Sequence, residues 1–529
     1  MELGFLSVLP AILAVILAVT SRNVLLSLGA AVFVGCGLVE WGEHGAVSAP
    51  FYGVLHAFDL IWNSVSSSDN QRVTIFSLLV GATVGVMSKS GATSAMVTRL
   101  ISIATTRTKG MLATWLAGLA VFFDDYANCL IVGNGMRPLV DRLGISRAKL
   151  AYIVDSTAAP IASVALISTW AGYEVSIMGE GLLAAGSELD PYGFFVAGVG
   201  YRFYCLFTIV FVGAIAWTGR DFGPMYTAEV LAMSQEPEPK EISEDEEVGA
   251  LAFGAVGPMI TLVAWALGKL WIDGHAAVEA KRVAGTLPEG SVGFIDIIGS
   301  ADGYAAMLSA SQASLALAVA VAIFSKRLSL PGVFWAGFGG IKQISGAIGV
   351  LVLAWTLGST MSDLGTSEYL VGLLDEAISP AFLASIVFVV SAATAFATGT
   401  SFGTMGIMVP MVIPLSFAIS NDPVVHMAAS GAVLSGACWG DHCSPISDTT
   451  VLSSLGAGCD HIEHVRTQLP YALACGAISL FAGSLPVGLG APLWMTLILG
   501  CALSILVVRI FGNVPSVPSE KAPTTRGSV

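Results

Sequence analysis

Asp124 and Asp125 stand side by side inside an apolar stretch, MLATWLAGLAVFFDDYANCLIVGNG (111–135). One ionised carboxylate at a bilayer centre costs roughly 2.5–3.5 kcal/mol on insertion scales, and an adjacent like charge raises the cost. Only a bound cation, a proton or a water-filled cavity can offset such a pair, so its chemistry is cation and proton binding. Three other apolar stretches are interrupted by polar clusters: DSTAAP (155–160), ATGTSFGT (397–404) and WGDHCSPISDTT (439–450). Hard cations take oxygen ligands. Besides the pair, these breaks offer Asn128, Asp155, Ser156, Thr157, Thr398, Thr400, Ser401, Thr404, Asp441, Ser444, Ser447, Asp448, Thr449 and Thr450. The ATGTS cluster adds flexible Gly399 and Gly403 but no acid.

Each candidate has a plain structural alternative. One aspartate of the pair could cap a helix while the other binds the ion. Asp155 and Asp448 suit the N-cap of a half-helix as well as an ion. Asp441 and His442 could form an internal polar pair or carry a proton. His461 and His464 read as solvated loop residues, and Lys89 as a side chain reaching out from a span end. Single hydroxyls in apolar helices usually bond backbone carbonyls; clustering at the breaks is what singles these out.

Those residues need helices to hold them in a membrane. The 529-residue chain is 55% hydrophobic and 11% charged, against roughly 25% charged in soluble proteins. It therefore reads as an all-α polytopic membrane protein. Uninterrupted or broken spans are expected at 3–20, 24–39, 73–96, 149–178, 192–217, 250–272, 302–324, 331–357, 425–456, 468–489 and 491–511. Two further segments, 111–140 and 380–417, read as hairpins with polar tips. That gives about eleven crossings plus two hairpins. The net charge of −14 owes much to SQEPEPKEISEDEE (234–247), a solvated linker by composition. The eight cysteines contain no CxxC pair and suggest no zinc site. The N-terminus lacks a basic region and reads as a first span, not a cleaved signal.

Discontinuous spans at corresponding places in two halves point to a transporter binding site. MSKSGATS (87–94) resembles MSDLGTSE (361–368) at an offset of 274 (361 − 87), and Phe122 and Phe396 precede two polar breaks at the same offset. The expected organisation is a first repeat at 1–219 (hairpin 111–140, broken helix 149–178), an acidic linker at 220–249, a second repeat at 250–489 (hairpin 380–417, broken helix 425–456), and a last span with a cytoplasmic tail at 490–529. Arg99, Arg107 and Lys109 flank one side of the first hairpin, and Arg137, Arg142, Arg147 and Lys149 the other. Positive flanks belong in the cytoplasm. The second hairpin has acidic flanks, so it enters from outside, and the repeats are inverted. The N-terminus is then outside and the linker and C-terminus inside.

No HExxH or P-loop occurs, so gradients rather than nucleotides must drive any transport. At the breaks, VFFDDYANCLIVG (121–133), KLAYIVDSTAAPIASVALISTWAG (149–172), LGSTMSDLGTSEYLV (357–371), FATGTSFGTMGIMVPMVIPL (396–415) and GDHCSPISDTTVLSS (440–454) resemble the NhaC family of Na+/H+ antiporters. The resemblance implies an ion-transporter-superfamily fold, with a dimerising scaffold and a transport domain that moves as an elevator in the plasma (inner) membrane. It implies no enzyme activity and no cofactor beyond transported Na+ and H+. Na+ is expected near Asp124, Asp125, Asp155, Thr400 and Asp448. A carboxylate that binds either Na+ or H+, never both, would couple the two. The alternative is a Na+- or H+-coupled carrier of an organic anion or amino acid, such as a malate/lactate-type exchanger. The absence of an evident Arg in a break favours the inorganic ion.

Overall fold

Backbone groups inside a bilayer must be satisfied within their own segment, and the apolar runs accordingly form helices. The computed structural model describes residues 4–21, 23–93, 95–96, 104–234, 248–283, 297, 300–366, 369 and 379–516. In chain order the helices are α1 (Leu9–Ser21), α2 (Val24–Ser66), α3 (Ser68–Lys89), α4 (Arg107–Ala120), α5 (Asp125–Arg142), α6 (Arg147–Asp155), α7 (Ala159–Val164), α8 (Thr169–Ala184), α9 (Pro191–Gly198), α10 (Phe203–Thr218), α11 (Gly223–Ser234), α12 (Val248–Val283), α13 (Gly303–Phe324), α14 (Leu330–Asp363), α15 (Pro380–Thr398), α16 (Ser401–Ile419), α17 (Pro423–Cys443), α18 (Asp448–Ala457), α19 (His461–Ile478), α20 (Leu485–Gly488) and α21 (Leu493–Phe511). Among the described residues, β pairing is limited to an isolated bridge between Asp221 and Asn513. Nine helices among the described residues are long and apolar enough to cross a membrane, or up to eleven if each of two bent pairs is one span. Trp62, Phe324, Trp335 and Phe511 lie more than half exposed along these helices, as suits a surface that meets lipid.

The helices form two packed groups. α1, α2, α3, α12, α13 and α14 pack mainly on one another. α4 to α8, α10 and α15 to α21 make up the second group. The two meet where α14 and α3 lie against α8, α14 against α16, and α1 against α15 and α16.

The polar breaks are real interruptions with local causes. Between α4 and α5 the chain turns at Val121–Asp124, and extended Asp124 accepts the Ala127 amide at 2.7 Å to start α5. Between α15 and α16, Gly399 (φ 70°) ends one helix in the left-handed region and Thr400 caps the next. A Cβ on Gly399 would also lie 2.6 Å from the Ile446 carbonyl oxygen. α17 stops at Cys443 and α18 restarts after Ser447, which caps it.

Several expectations change. The span at 149–178 breaks twice, at Ser156–Ala158 and at Ala165–Ser168, with a 47° bend. The span at 192–217 is not continuous: it bends by 49° at Arg202. The helix begun at 24 does not end at 39; α2 runs to Ser66 through a kink at Gly45 (φ 70°), because a second apolar limb follows the polar Glu40–His44 turn. Part of the expected linker, Gly223–Ser234, is a packed helix with Glu229 fully buried. Residues 235–247 of that linker lie outside the described residues.

Candidate ion-binding site

Hairpin α4–α5, the break after α6 and the start of α18 bring acids together. Asp124, Asp125, Asp155 and Asp441 are buried, and Asp448 sits in the first turn of α18. Asp125 lies within electrostatic reach of Asp124 and Asp448, and Asp441 within reach of Asp448 and Asp155. The acids thus form a chain rather than a cage: among the described residues no three His, Cys, Asp or Glu side chains converge closely enough to hold one metal ion. Of the residues expected near Na+, Asp124, Asp125, Asp155 and Asp448 lie along this row, and Thr400 caps α16 at the other hairpin tip.

The hydrogen bonds assign different tasks. Asp124 spends Oδ1 on the Ala127 amide and accepts Thr169 Oγ1 at 3.3 Å on Oδ2, so the N-cap alternative holds for this member of the pair. Among the described residues, Asp125 Oδ2 has no hydrogen-bond partner. Asn128 Nδ2 donates to the carbonyls of Gly118 and Thr157, both at 2.8 Å, which turns its unpartnered Oδ1 the other way. Asp155 ends α6 rather than starting a helix, and it accepts from Thr450 (3.1 Å), Ser453 (3.2 Å) and Gln468 Nε2 (2.6 Å). Asp441 accepts Thr449 Oγ1 at 3.0 Å on Oδ2 and leaves Oδ1 open. Asp448 accepts the Tyr126 hydroxyl and the Thr449 amide, while Ser447 does the capping.

The ATGTS tip behaves differently. Thr398 Oγ1 donates to the Thr394 carbonyl, Thr404 to Thr400 and Ser401 to Ala437. Ser444 donates to the Phe396 carbonyl and Thr157 to Ile153. Ser156 is buried in the first break. These hydroxyls serve backbone, whereas Thr449, Thr450 and Ser453 of α18 donate to carboxylates. The ATGTS hairpin reaches the acids through Phe402, whose ring packs 4.9 Å from Trp170 and whose carbonyl accepts the Tyr173 hydroxyl at 2.7 Å. A cavity of about 30 Å³ lies there, lined by Asp124, Asp125, Tyr126, Thr169 and Phe402, with Ile344 and Leu351 of α14 on its other wall. It sits between the two helix groups and has room for about one water-sized species.

Close approach holds the site together. A Cβ on Gly456 of α18 would lie 2.2 Å from the Cys129 carbonyl oxygen of α5. Backbone cannot yield as a side-chain tip can, so Gly456→Ala should destabilise the protein by about 1–3 kcal/mol; a fall in melting temperature in detergent checks it. The basic flanks also act here. Arg137 and Arg147 donate to the last carbonyls of α18, Gly456 and Ala457, each at 2.6 Å, where cations favour the helix end.

Sequence reasoning missed several participants. Tyr126, Thr169, Ser453 and Gln468 touch the acids. His464 is fully buried, not a solvated loop residue. An Arg does occupy a break: Arg202, fully buried, pairs with Glu174 at 2.7 Å. The adjacent polar run HIEHVRTQ was the one available signal for His464 and Gln468.

Apolar spans, paired broken helices and buried unneutralised acids define a multi-span secondary transporter. A sequence profile of the Na+/H+ antiporter family matches residues 161–484. The chain belongs to that family. An uncharacterized Haemophilus influenzae protein is 36% identical over 492 residues, covering 91% of this chain and 90% of that one. The Na(+)/H(+) antiporter NhaC of Alkalihalophilus pseudofirmus is 33% identical over 132 residues, 25% of this chain and 27% of that protein. The malate-2H(+)/Na(+)-lactate antiporter of Bacillus subtilis is 34% identical over 124 residues, 23% of this chain and 24% of that protein. The fold is similar to the YdaH transporter of Alcanivorax borkumensis, with TM-score 0.58 and 16% identity over 83% of this chain and 90% of that one.

Proposed function

We propose that the protein exchanges a monovalent cation, Na+ in the first instance, for protons at the acidic row, with Asp125 as the principal carrier. One contrast carries this reading. Buried acids elsewhere have basic partners: Glu174 with Arg202, Glu229 with Arg107 and Asp221 with Lys149. Among the described residues, none of Asp124, Asp125, Asp155, Asp441 and Asp448 pairs with a Lys or Arg. Buried charge without a partner is too costly to persist, so cations or protons must supply the balance. A proton entering the row reduces its charge and releases the cation; a cation entering favours proton loss. That competition is the coupling.

The reading extends to two inverted repeats, with α4–α5 and α15–α16 as re-entrant hairpins from opposite sides. In it, α1 to α3 and α12 to α14 form a scaffold for a homodimer, and the second group moves as an elevator. The cavity's place between the two groups supports this, as does the matching use of Asp124 and Thr400 as N-caps at the hairpin tips. The N-terminus would lie outside and the C-terminus in the cytoplasm of the plasma membrane.

The second reading is coupled transport of an organic anion, favoured by the similarity to the malate-2H(+)/Na(+)-lactate antiporter. The small cavity and the commitment of Arg202 to Glu174 weigh against it. In proteoliposomes, a Na+ or Li+ gradient alone should move protons. An absolute requirement for malate, lactate or an amino acid would reverse the order of the two readings.

A further inference from the structure

The two ends of α17 face different chemistry. Asp441, in its last turn, belongs to the acidic row. Asp422, its N-cap, lies about 28 Å away along the helix at about 1.5 Å per residue. Beside Asp422 is a second cavity, of about 240 Å³ against about 30 Å³ beside Asp125. It lies among α15, α17, the bend at Tyr201 and the turn from α20 into α21. Its size suits a small organic molecule rather than a lone ion or water. None of its lining residues belongs to α1 to α3 or α12 to α14, so it stands apart from the boundary where the acidic cavity sits.

Three polar features converge on this cavity. Asp422 spends Oδ1 on the Val424 amide at 2.9 Å, and among the described residues its Oδ2 accepts no hydrogen bond. The residue is exposed, so its carboxylate stands at the cavity mouth. Tyr201 is only 6% exposed, lines the cavity and lies within electrostatic reach of Asp422, yet its hydroxyl bonds no described residue. A Cβ on Gly431 of α17 would lie 2.8 Å from the Tyr201 carbonyl oxygen, so close packing on α17 holds this residue in place. The third feature is a pair of helix starts. Pro380 opens α15 and Leu493 opens α21, both line the cavity, and no side chain caps either helix. Their first amides are left for water or a ligand, at the helix end that favours an anion. The remaining walls are largely aliphatic, with Ala384, Val425 and Val487 among them.

We infer that this cavity binds a small zwitterionic amino acid with an aliphatic side chain, at a site distinct from the acidic row. The α-ammonium donates to Asp422 Oδ2. The α-carboxylate takes the uncapped amides of α15 and α21, and the Tyr201 hydroxyl supplies a further polar contact. The side chain lies among Ala384, Val425 and Val487. Charge decides the class. A simple carboxylate would meet Asp422 with nothing to offset it, and a simple amine would leave both helix starts unused. Asp422 is the one charged residue lining the cavity, so a charged side chain finds no partner. In the orientation proposed above the mouth faces outside the cell, and the ligand joins α15, α17 and α21 at the base of the second hairpin.

Equilibrium binding of radiolabelled L-valine to the full chain in lipid nanodiscs tests this. Unlabelled L-valine should displace the label about tenfold or more better than isovalerate, which lacks the ammonium, or isobutylamine, which lacks the carboxylate. Asp422→Asn should weaken binding by about tenfold or more and still fold, because Asn also caps a helix. Tyr201→Phe should weaken it by about fivefold. Asp125→Asn, altered only at the acidic row, should bind valine as the wild type does. An absence of saturable binding for L-alanine, L-valine and L-leucine overturns the inference, as does displacement by isovalerate or isobutylamine equal to that by valine. Binding lost in Asp125→Asn but kept in Asp422→Asn also overturns it, since the amino acid would then sit at the acidic row. If Asp422→Asn does not fold, wild-type affinity in Tyr201→Phe overturns it.

Discussion

Asp125→Asn is expected to lose Na+-driven proton exchange by about 100-fold or more, while Asp124→Asn keeps exchange to within about tenfold of wild type. The two acids are neighbours in sequence but not in role. Asp124 starts α5 through its Oδ1 and holds Thr169 through its Oδ2, and Asn caps a helix as well as Asp does. Its replacement therefore preserves the hairpin tip and removes one charge from beside the carrier. Asp125 is buried, borders the cavity and has an oxygen with no donor among the described residues. Asn at 125 keeps the size but can neither release a proton nor neutralise a cation. Proton flux in proteoliposomes, with a pH-sensitive dye inside, reads both variants. Normal exchange in Asp125→Asn would falsify its assignment as carrier, and loss confined to Asp124→Asn would move the carrier to Asp124.

Arg202→Met should destabilise the fold by about 3–5 kcal/mol, more than Gly456→Ala, because it leaves Glu174 buried without its base. Both partners are fully buried, and Ser163 adds a hydrogen bond to Glu174 at 2.8 Å. Arg202 also lies over the Phe195 ring, 4.4 Å from guanidinium carbon to centroid. Adding Glu174→Gln to Arg202→Met removes the stranded charge and should recover most of the loss, since replacing both members of a buried pair is often close to neutral. Melting temperatures of the single and double variants in detergent decide it. A double variant no more stable than Arg202→Met would show that the stacking on Phe195 and the bend at 202, not the charge pair, hold this region.

The contrast between these two experiments shows where sequence stops being informative. Hydropathy identified the membrane class, because spans must satisfy their backbone locally and must be apolar over a length set by the bilayer. The breaks at 124, 399 and 444–447 were legible for a similar reason. Their causes, an N-capping Asp, a left-handed Gly and a capping Ser, act over a few residues. The second break in 149–178 and the bend at Arg202 were not legible, since neither Ala165–Ser168 nor Tyr201–Phe203 carries a strong local stop signal. The second limb of α2 escaped because Glu40 and His44 looked like a loop until the helix was seen to continue past them.

The sequence by itself determined that acids sit inside apolar helices and that something positive must balance them. Only the tertiary structure decided which acids already have that balance. Glu174 finds Arg202, 28 residues away, whereas the hydrogen-bond donors that Asp155 finds among the described residues are the neutral Thr450, Ser453 and Gln468, more than 290 residues along the chain. Whether a buried charge is structural or exchangeable depends on such distant partners. Composition and spacing count the charges, but packing chooses their neighbours.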